Sequence, residues 1–287
     1  MKMVEQIDLV IAYVDNEEKV WQKTFTDYCY KYNQRAKLVE LHTIRFEDKL
    51  SLLPYQLKLI EKNMPFIKNI YLLVSNKEQA PKNLPSNFQI VLHKDFIPNK
   101  YLPTFNSTTI EMFLWNIKGL SEKFIYTNDD MLPTQMLQEC NFFVKDKIKI
   151  TLQHKSILDN HKQYRCHCLN NDMHICEKLK IKHDKIHYLM PLHSMTPMIK
   201  SHCIECYNLI KDKVDPFITR FRTDYNHNQY IFPLYENYKY GVIDSDVDFL
   251  YTQLKNDIDL NHQIVCLNII PSAKVKELKR ELDKLCE

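Results

Sequence analysis

Short apolar runs, each closed by polar side chains and separated by amphipathic stretches, constrain this chain most. Residues 7–14 read Ile-Asp-Leu-Val-Ile-Ala-Tyr-Val and stop at Asp15 and Asn16. Residues 70–74 stop at Ser75 and Asn76, residues 88–92 at His93, Lys94 and Asp95, and residues 124–126 lead into Asn128, Asp129 and Asp130. Trp21 opens a helix to about residue 32. Leu50, Leu53, Leu57, Ile60 and Met64 recur at helical spacing, with Pro54 near the start, where proline is tolerated. Ile110, Phe113, Leu114 and Ile117 share one face of a helix over 107–117. Residues 37–42 read as a further strand. This alternation predicts an α/β fold with a mostly parallel sheet flanked by helices.

Beyond Met131 the pattern weakens. Residues 140–190 read as irregular or helical chain beside the sheet, 200–210 as a helix and 264–270 as a late strand. Pro271 and Ser272 then open an amphipathic helix with Val275, Leu278, Leu282 and Leu285 on one face. With no repeat or linker, the expected organisation is one catalytic domain over 1–270 and a terminal helix over 271–287. Within that domain, 1–135 form the α/β core and 136–270 an elaboration that completes the site.

Composition removes several functions. An apolar fraction of 45 % supports a real core, and a net charge of +3 is too mild to recruit nucleic acid by bulk charge. There are two glycines, Gly119 and Gly241. A Walker loop or a Gly-rich dinucleotide turn needs several. A nucleotide here is therefore held by side chains, a metal or helix N-termini. Nine cysteines, an odd number, a polar start and no run near the roughly 20 apolar residues of a membrane span predict a cytoplasmic protein with reduced thiols.

The Asn128-Asp129-Asp130 end of the run at 124–126 carries the sharpest chemistry. Ligands of open α/β sheets sit at the carboxyl ends of strands. Paired carboxylates there suit a hard divalent cation shared with phosphate oxygens, or one of them serves as a general base. A polar turn needs the same residues.

The longer pattern resembles the Stealth family of sugar-phosphate transferases, which includes bacterial capsule polymerases and the lysosomal-enzyme GlcNAc-1-phosphotransferase. Its first segment is met by Ile7, Asp8, Val10, Val14, Asp15 and Trp21, with Tyr13, Asn16 and Glu18 standing where the family has Trp, Gly and Asp. The second and longest runs through Arg45-Phe46, Ile60-Glu61-Lys62-Asn63-Met64-Pro65, Ile70-Tyr71-Leu72, Asn76, Gln79, Pro81, His93, Asp95 and Pro98. It continues with Leu102-Pro103-Thr104-Phe105-Asn106-Ser107, Ile110-Glu111, Gly119-Leu120-Ser121, Phe124 and Asn128-Asp129-Asp130. The third is met by His193 through Ser201, with Met195 at a frequent proline position, then Arg220-Phe221-Arg222 and Asn226. The fourth appears as Cys266-Leu267-Asn268-Ile269, lacking the family's final aspartate.

The resemblance implies transfer of a sugar-1-phosphate, N-acetylhexosamine-1-phosphate by default, from a UDP-sugar to a hydroxyl of a glycan or lipid-linked glycan, releasing UMP. It implies Mg²⁺ or Mn²⁺ on Asp129 and Asp130, with catalytic duties for these two and for Glu111, His193 and Arg222. His193 is expected as general base or phosphate donor, and Arg222 as a phosphate clamp. Donor or phosphate contacts are expected from Asp15, Arg45, Asn76, Asn106, Ser107, Asn128, Lys200 and Arg220, with Glu18 near Asp15. Thr108-x-x-Glu111 also reads as a capping box, and a helix start at Asn106 and Ser107 would favour phosphate. The alternatives are a metal-dependent glycosyltransferase releasing UDP and a degenerate glycan-binding module. Cys166, His167, Cys168, His174, Cys176, His183 and His187 lack standard zinc spacing and read as reduced thiols and ordinary histidines. The lysines of the terminal helix suit the cytoplasmic face of an inner membrane or capsule machinery. Glu277, Glu281, Asp283 and Glu287 largely cancel them, so packing on the body or dimerisation is expected.

Overall fold

The computed structural model describes residues 6–42, 50–82, 84–158 and 162–287. The elements run β1 (Ile7–Ala12), α1 (Lys19–Lys31), α2 (Leu53–Asn63), β2 (Ile67–Val74), β3 (Phe88–Leu92), α3 (Ser107–Glu111), β4 (Lys123–Asn128) and β5 (Met131–Pro133). Then come β6 (Phe143–Val144), β7 (Lys147–Ile148), β8 (Leu152–Ser156), α4 (Gln163–Leu179), β9 (His187–Pro191), β10 (Thr196–Ile199) and α5 (Lys200–Val214). The chain closes with α6 (Ile231–Lys239), β11 (Phe249–Thr252), β12 (Ile264–Leu267) and α7 (Val275–Cys286).

The fold is α/β. Its main sheet has the order β10-β4-β1-β2-β3. The first four strands in sequence are parallel, and β10 joins β4 antiparallel. Strands β1 and β4 are buried almost throughout, as expected where helices cover both faces of a parallel sheet. Asp8 is the exception inside β1. Fully buried, its carboxylate accepts from Asn69 Nδ2 at 2.9 Å and from Ser121 N at 2.8 Å. It thereby ties the entries of β2 and β4 to the central strand.

From β1 the chain lays β2 and β3 on one flank, then returns to place β4 on the other. The order therefore switches between β1 and β4, where Ala12 faces Asn128. A second sheet, β11-β12-β5, begins at once: β5 starts directly after Asp130 and pairs antiparallel with β12. Asp129 and Asp130 form the joint between the two sheets.

Several expectations change. Residues 37–42 are not a strand but lie in a 3₁₀ segment, Arg35–His42; both edges of β1 are already taken by β2 and β4. The helix over 107–117 breaks into the five-residue α3 and a 3₁₀ turn, Leu114–Asn116. Residues 140–190 hold two antiparallel strand pairs, β6–β7 and β8–β9, and the long α4. The late strand ends at Leu267. Of the terminal helix's alternatives, packing on the body is observed: Leu278 and Leu282 are fully buried in a cluster with Leu52, Leu59 and Leu132. Each such leucine contributes about 1.5–3 kcal/mol. Tyr55 donates to Asp283 at 2.9 Å, and Lys62 to the Leu285 carbonyl at 2.9 Å. Among the described residues no helix is long and apolar enough to cross a membrane.

Candidate active site

Asp129 and Asp130 occupy the carboxyl end of β4 at the switch of strand order, the position where α/β sheets bind ligands. The turn is clamped from α2. Gln56, fully buried, donates both amide hydrogens, to the carbonyls of Asn128 and Met131, each at 2.7 Å. Asn63, two turns on, donates to the Pro133 carbonyl at 2.7 Å. From the second sheet, Leu267 N donates to the Asp130 carbonyl at 2.8 Å. Burial, then the Asp130 carboxylate beside it, pushes the Cys266 thiol well up. Asp130 Oδ1 is buried and meets no donor among the described residues.

Glu111, at the end of α3, comes to the same centre. It is buried, and its Oε2 accepts from Gln229 N at 3.0 Å. Burial raises its carboxyl, opposed by the Gln229 N–H, the Arg222 charge and the Ser107 hydroxyl. The capping-box reading is thereby corrected. Asn106 is the N-cap, accepting from Thr108 N at 3.1 Å, and Glu111 bonds across to another segment. Nor does α3 offer a phosphate site at its start: it is too short, and Asn106 is fully engaged. Its amide donates to the Thr219 carbonyl and to Asn226 Oδ1, both at 3.1 Å. Asn226 in turn accepts from Thr223 N at 2.7 Å. The two asparagines pin the loop that carries Arg222, whose guanidinium reaches Ser107 Oγ.

Tyr126 sits among these acids. Burial, then the charges of Glu111, Asp129 and Asp130, pushes its phenol well above 10, so it stays protonated and donates to Asn128 Oδ1 at 3.0 Å. His193, between β9 and β10, joins the group through Tyr230, whose hydroxyl lies 2.6 Å from its Nδ1. The half-exposed ring of Tyr251 on β11 stands edge-on to His193, centroids 6.2 Å apart.

The structure thus gathers Asp129, Asp130, Glu111, Arg222, Ser107, Asn128 and His193. Asp15 and Asn76 lie at the carboxyl ends of the neighbouring β1 and β2, where they shape loops. Asp15 accepts from Glu17 N at 2.9 Å and Asn76 donates to Glu18 at 3.0 Å. Glu18 caps α1 through Val20 N and Trp21 N; burial opposes it, but these donors hold its carboxyl below the usual range. Two cations are not gathered. Lys200 follows Ile199, which pairs with Lys123 at the opposite end of β4, and its Nζ faces the carbonyls of Ile117 and Leu120. Arg220 donates to the carbonyls of Lys100 and Leu102, both at 2.9 Å, and stacks over Tyr32. Arg45 lies outside the described residues.

Sequence reasoning missed Gln56, Tyr126, Tyr230 and Tyr251. Only Gln56 left a signal: an amide on the apolar stripe of α2, between Leu53 and Ile60.

Among the described residues no three His, Cys, Asp or Glu side chains converge as a metal cage. A Mg²⁺ held by one or two carboxylates and substrate phosphates needs none, and the undonated Asp130 Oδ1 fits such an ion. In the Cys/His-rich stretch, His167 meets the Thr223 carbonyl, His174 meets His227 and His187 meets Asp184. Cys166, Cys168 and Cys176 are buried on α4.

Fold and site define a doubly wound α/β protein with an acidic, arginine-flanked centre at its strand switch. Residues 45–151 match the family described as Stealth protein CR2, conserved region 2. It is similar to a capsular polysaccharide phosphotransferase of Actinobacillus suis, 37 % identical over 156 residues, covering 53 % of this chain and 41 % of the relative. A capsular polysaccharide phosphotransferase of Neisseria meningitidis serogroup B is 29 % identical over 238 residues, covering 79 % and 63 %. These alignments therefore span between 41 % and 63 % of those relatives' own lengths. A solved structure of galactosyltransferase LgtC with donor and acceptor sugar analogues aligns over 97 % of this chain and 95 % of that one, at TM-score 0.42 and 13 % identity.

Proposed function

We propose that the protein transfers a sugar-1-phosphate from a UDP-sugar, by default a UDP-N-acetylhexosamine, to a glycan or lipid-linked glycan hydroxyl in bacterial capsule synthesis. One observation carries the reading: the charges of Glu111, Asp129 and Asp130 all reach the buried Tyr126 at the strand switch, and the Arg222 charge reaches Glu111. Phosphoryl transfer asks chiefly for positioning and charge neutralisation, and an acid cluster flanked by arginine serves both. The relatives' names support the same chemistry.

The acceptor oxygen attacks the sugar-bearing phosphorus. The new O–P bond forms as the bond from that phosphorus to the bridging oxygen breaks, and UMP leaves with the bridging oxygen. Asp129 and Asp130 would hold Mg²⁺ or Mn²⁺, which supplies neutralisation of the pyrophosphate. Arg222 binds phosphate oxygens, and the acceptor's proton passes to Glu111 or to His193. Burial raises Glu111 toward a useful base.

The test incubates pure protein with UDP-GlcNAc, Mg²⁺ or Mn²⁺ and a crude surface-glycan acceptor, and identifies the nucleotide. Metal-dependent UMP is expected. UDP would establish glycosyl transfer instead; donor binding without any release, across a panel of nucleotide sugars, would favour a binding module.

A further inference from the structure

Three tyrosines from three elements surround His193. Tyr164 of α4, Tyr230 before α6 and Tyr251 of β11 stand edge-on to its ring, with centroids 6.0, 6.3 and 6.2 Å away. Tyr230 adds a polar contact, its hydroxyl 2.6 Å from Nδ1. Its ring is fully buried. Its backbone is fixed too: Tyr230 N donates to Asn228 Oδ1 at 3.2 Å, and the preceding Gln229 N donates to Glu111 at 3.0 Å. One short turn is thus bonded to the acidic centre by one residue and to His193 by the next.

We propose that Tyr230 is a positioning residue: its hydroxyl donates to Nδ1 of His193, so that the ring presents Nε2–H to the substrate. Burial, opposed by the Tyr164 hydroxyl but aided by the nearby Cys168, Glu111 and Cys266, pushes the phenol well above 10. A phenol that keeps its proton has one hydrogen to give, and Nδ1 lies within reach. Giving it there leaves the imidazole's own hydrogen on Nε2. His193 is then a hydrogen-bond donor to phosphate oxygen in the resting protein, and the acceptor's proton goes to a carboxylate, Glu111. The identity of the group that Nε2–H meets rests on the phosphotransfer reading; the tether itself does not.

The test is ¹⁵N-histidine NMR on the ligand-free protein, with the His193 signals assigned by their loss in His193→Asn. The expected spectrum shows Nδ1 bare and Nε2 protonated, and Tyr230→Phe converts it to a mixture of tautomers. In the UMP assay the same variant is expected to lower kcat about tenfold, equivalent to about 1.4 kcal/mol, with donor KM changed less than about twofold. A protonated Nδ1 in the parent protein, or an unchanged tautomer in Tyr230→Phe, overturns the proposal. If Tyr230→Phe does not fold, the parent spectrum alone decides. A bare Nδ1 in a protein that releases no UMP would sustain the tether and sink the phosphotransfer reading.

Discussion

Replacing Gln56 tests whether the acidic turn is held from behind. In Gln56→Leu, two amide-to-carbonyl bonds of 2.7 Å are lost at a fully buried position. Each contributes about 0.5–1.5 kcal/mol net, so the loss is about 1–3 kcal/mol. The Gln56 Oε1 has no donor among the described residues, and removing it lifts a desolvation penalty, so the expected destabilisation is about 1–2 kcal/mol. Gln56→Glu is expected to be worse, because a carboxylate would face two carbonyl oxygens with no hydrogen to offer at neutral pH. Catalysis should suffer more than stability, since a displacement of about 1 Å at a reacting centre costs on the order of 10²-fold. The assay pairs urea denaturation with UMP release well below the melting temperature. Gln56→Leu with unchanged stability and unchanged kcat would refute the clamp. So would the reverse order of severity between the two variants.

Leu282→Ala should destabilise by about 2–5 kcal/mol, because this leucine is fully buried against α2; kcat at low temperature should hold, which calorimetry and the UMP assay check together. Acid should unfold the protein early. Burial pushes His93 down to about 4 and His227 down to about 3, while unfolded histidines titrate near 6.5. As pH falls below that value the unfolded chain takes protons that the native one refuses, so native stability is lost on going from pH 7 to 5.5. The loss is about 1 kcal/mol per histidine. His227→Gln should remove one such share, and a melting temperature flat across this window would contradict the reasoning.

The strands were legible because a covered parallel sheet asks for mostly apolar runs, and 7–14, 70–74, 88–92 and 124–126 are such runs, interrupted only by Asp8 and Gln89. The place of Asp129 and Asp130 just past the end of β4 was legible because the residues that close a strand are local in sequence. What was not legible depends on distance along the chain. Gln56 acts on a carbonyl 72 residues away, and Tyr230 on a histidine 37 residues away; no periodicity encodes either. Glu111 shows the same limit from the other side. Its local spacing fits a helix cap, but its partner is Gln229, 118 residues on, and a buried tertiary bond outweighed the local one. Lys200 and Arg220 carry the right charge for phosphate, yet the antiparallel course of β10 and the carbonyls of 100 and 102 take them elsewhere.

The joint between the two sheets has a consequence for how the chain matures. The turn bearing Asp129 and Asp130 is finished by β12 and Leu267, more than a hundred residues after it is made, and α2, which clamps it, is covered by α7. The region that matches the conserved-region model, 45–151, is therefore braced by chain outside it. During synthesis its carboxylates emerge long before the backbone that braces them. A ribosome-bound chain stopped at residue 250 would hold the acidic signature without the backbone that braces it, and the joint would close only as β12 enters the second sheet.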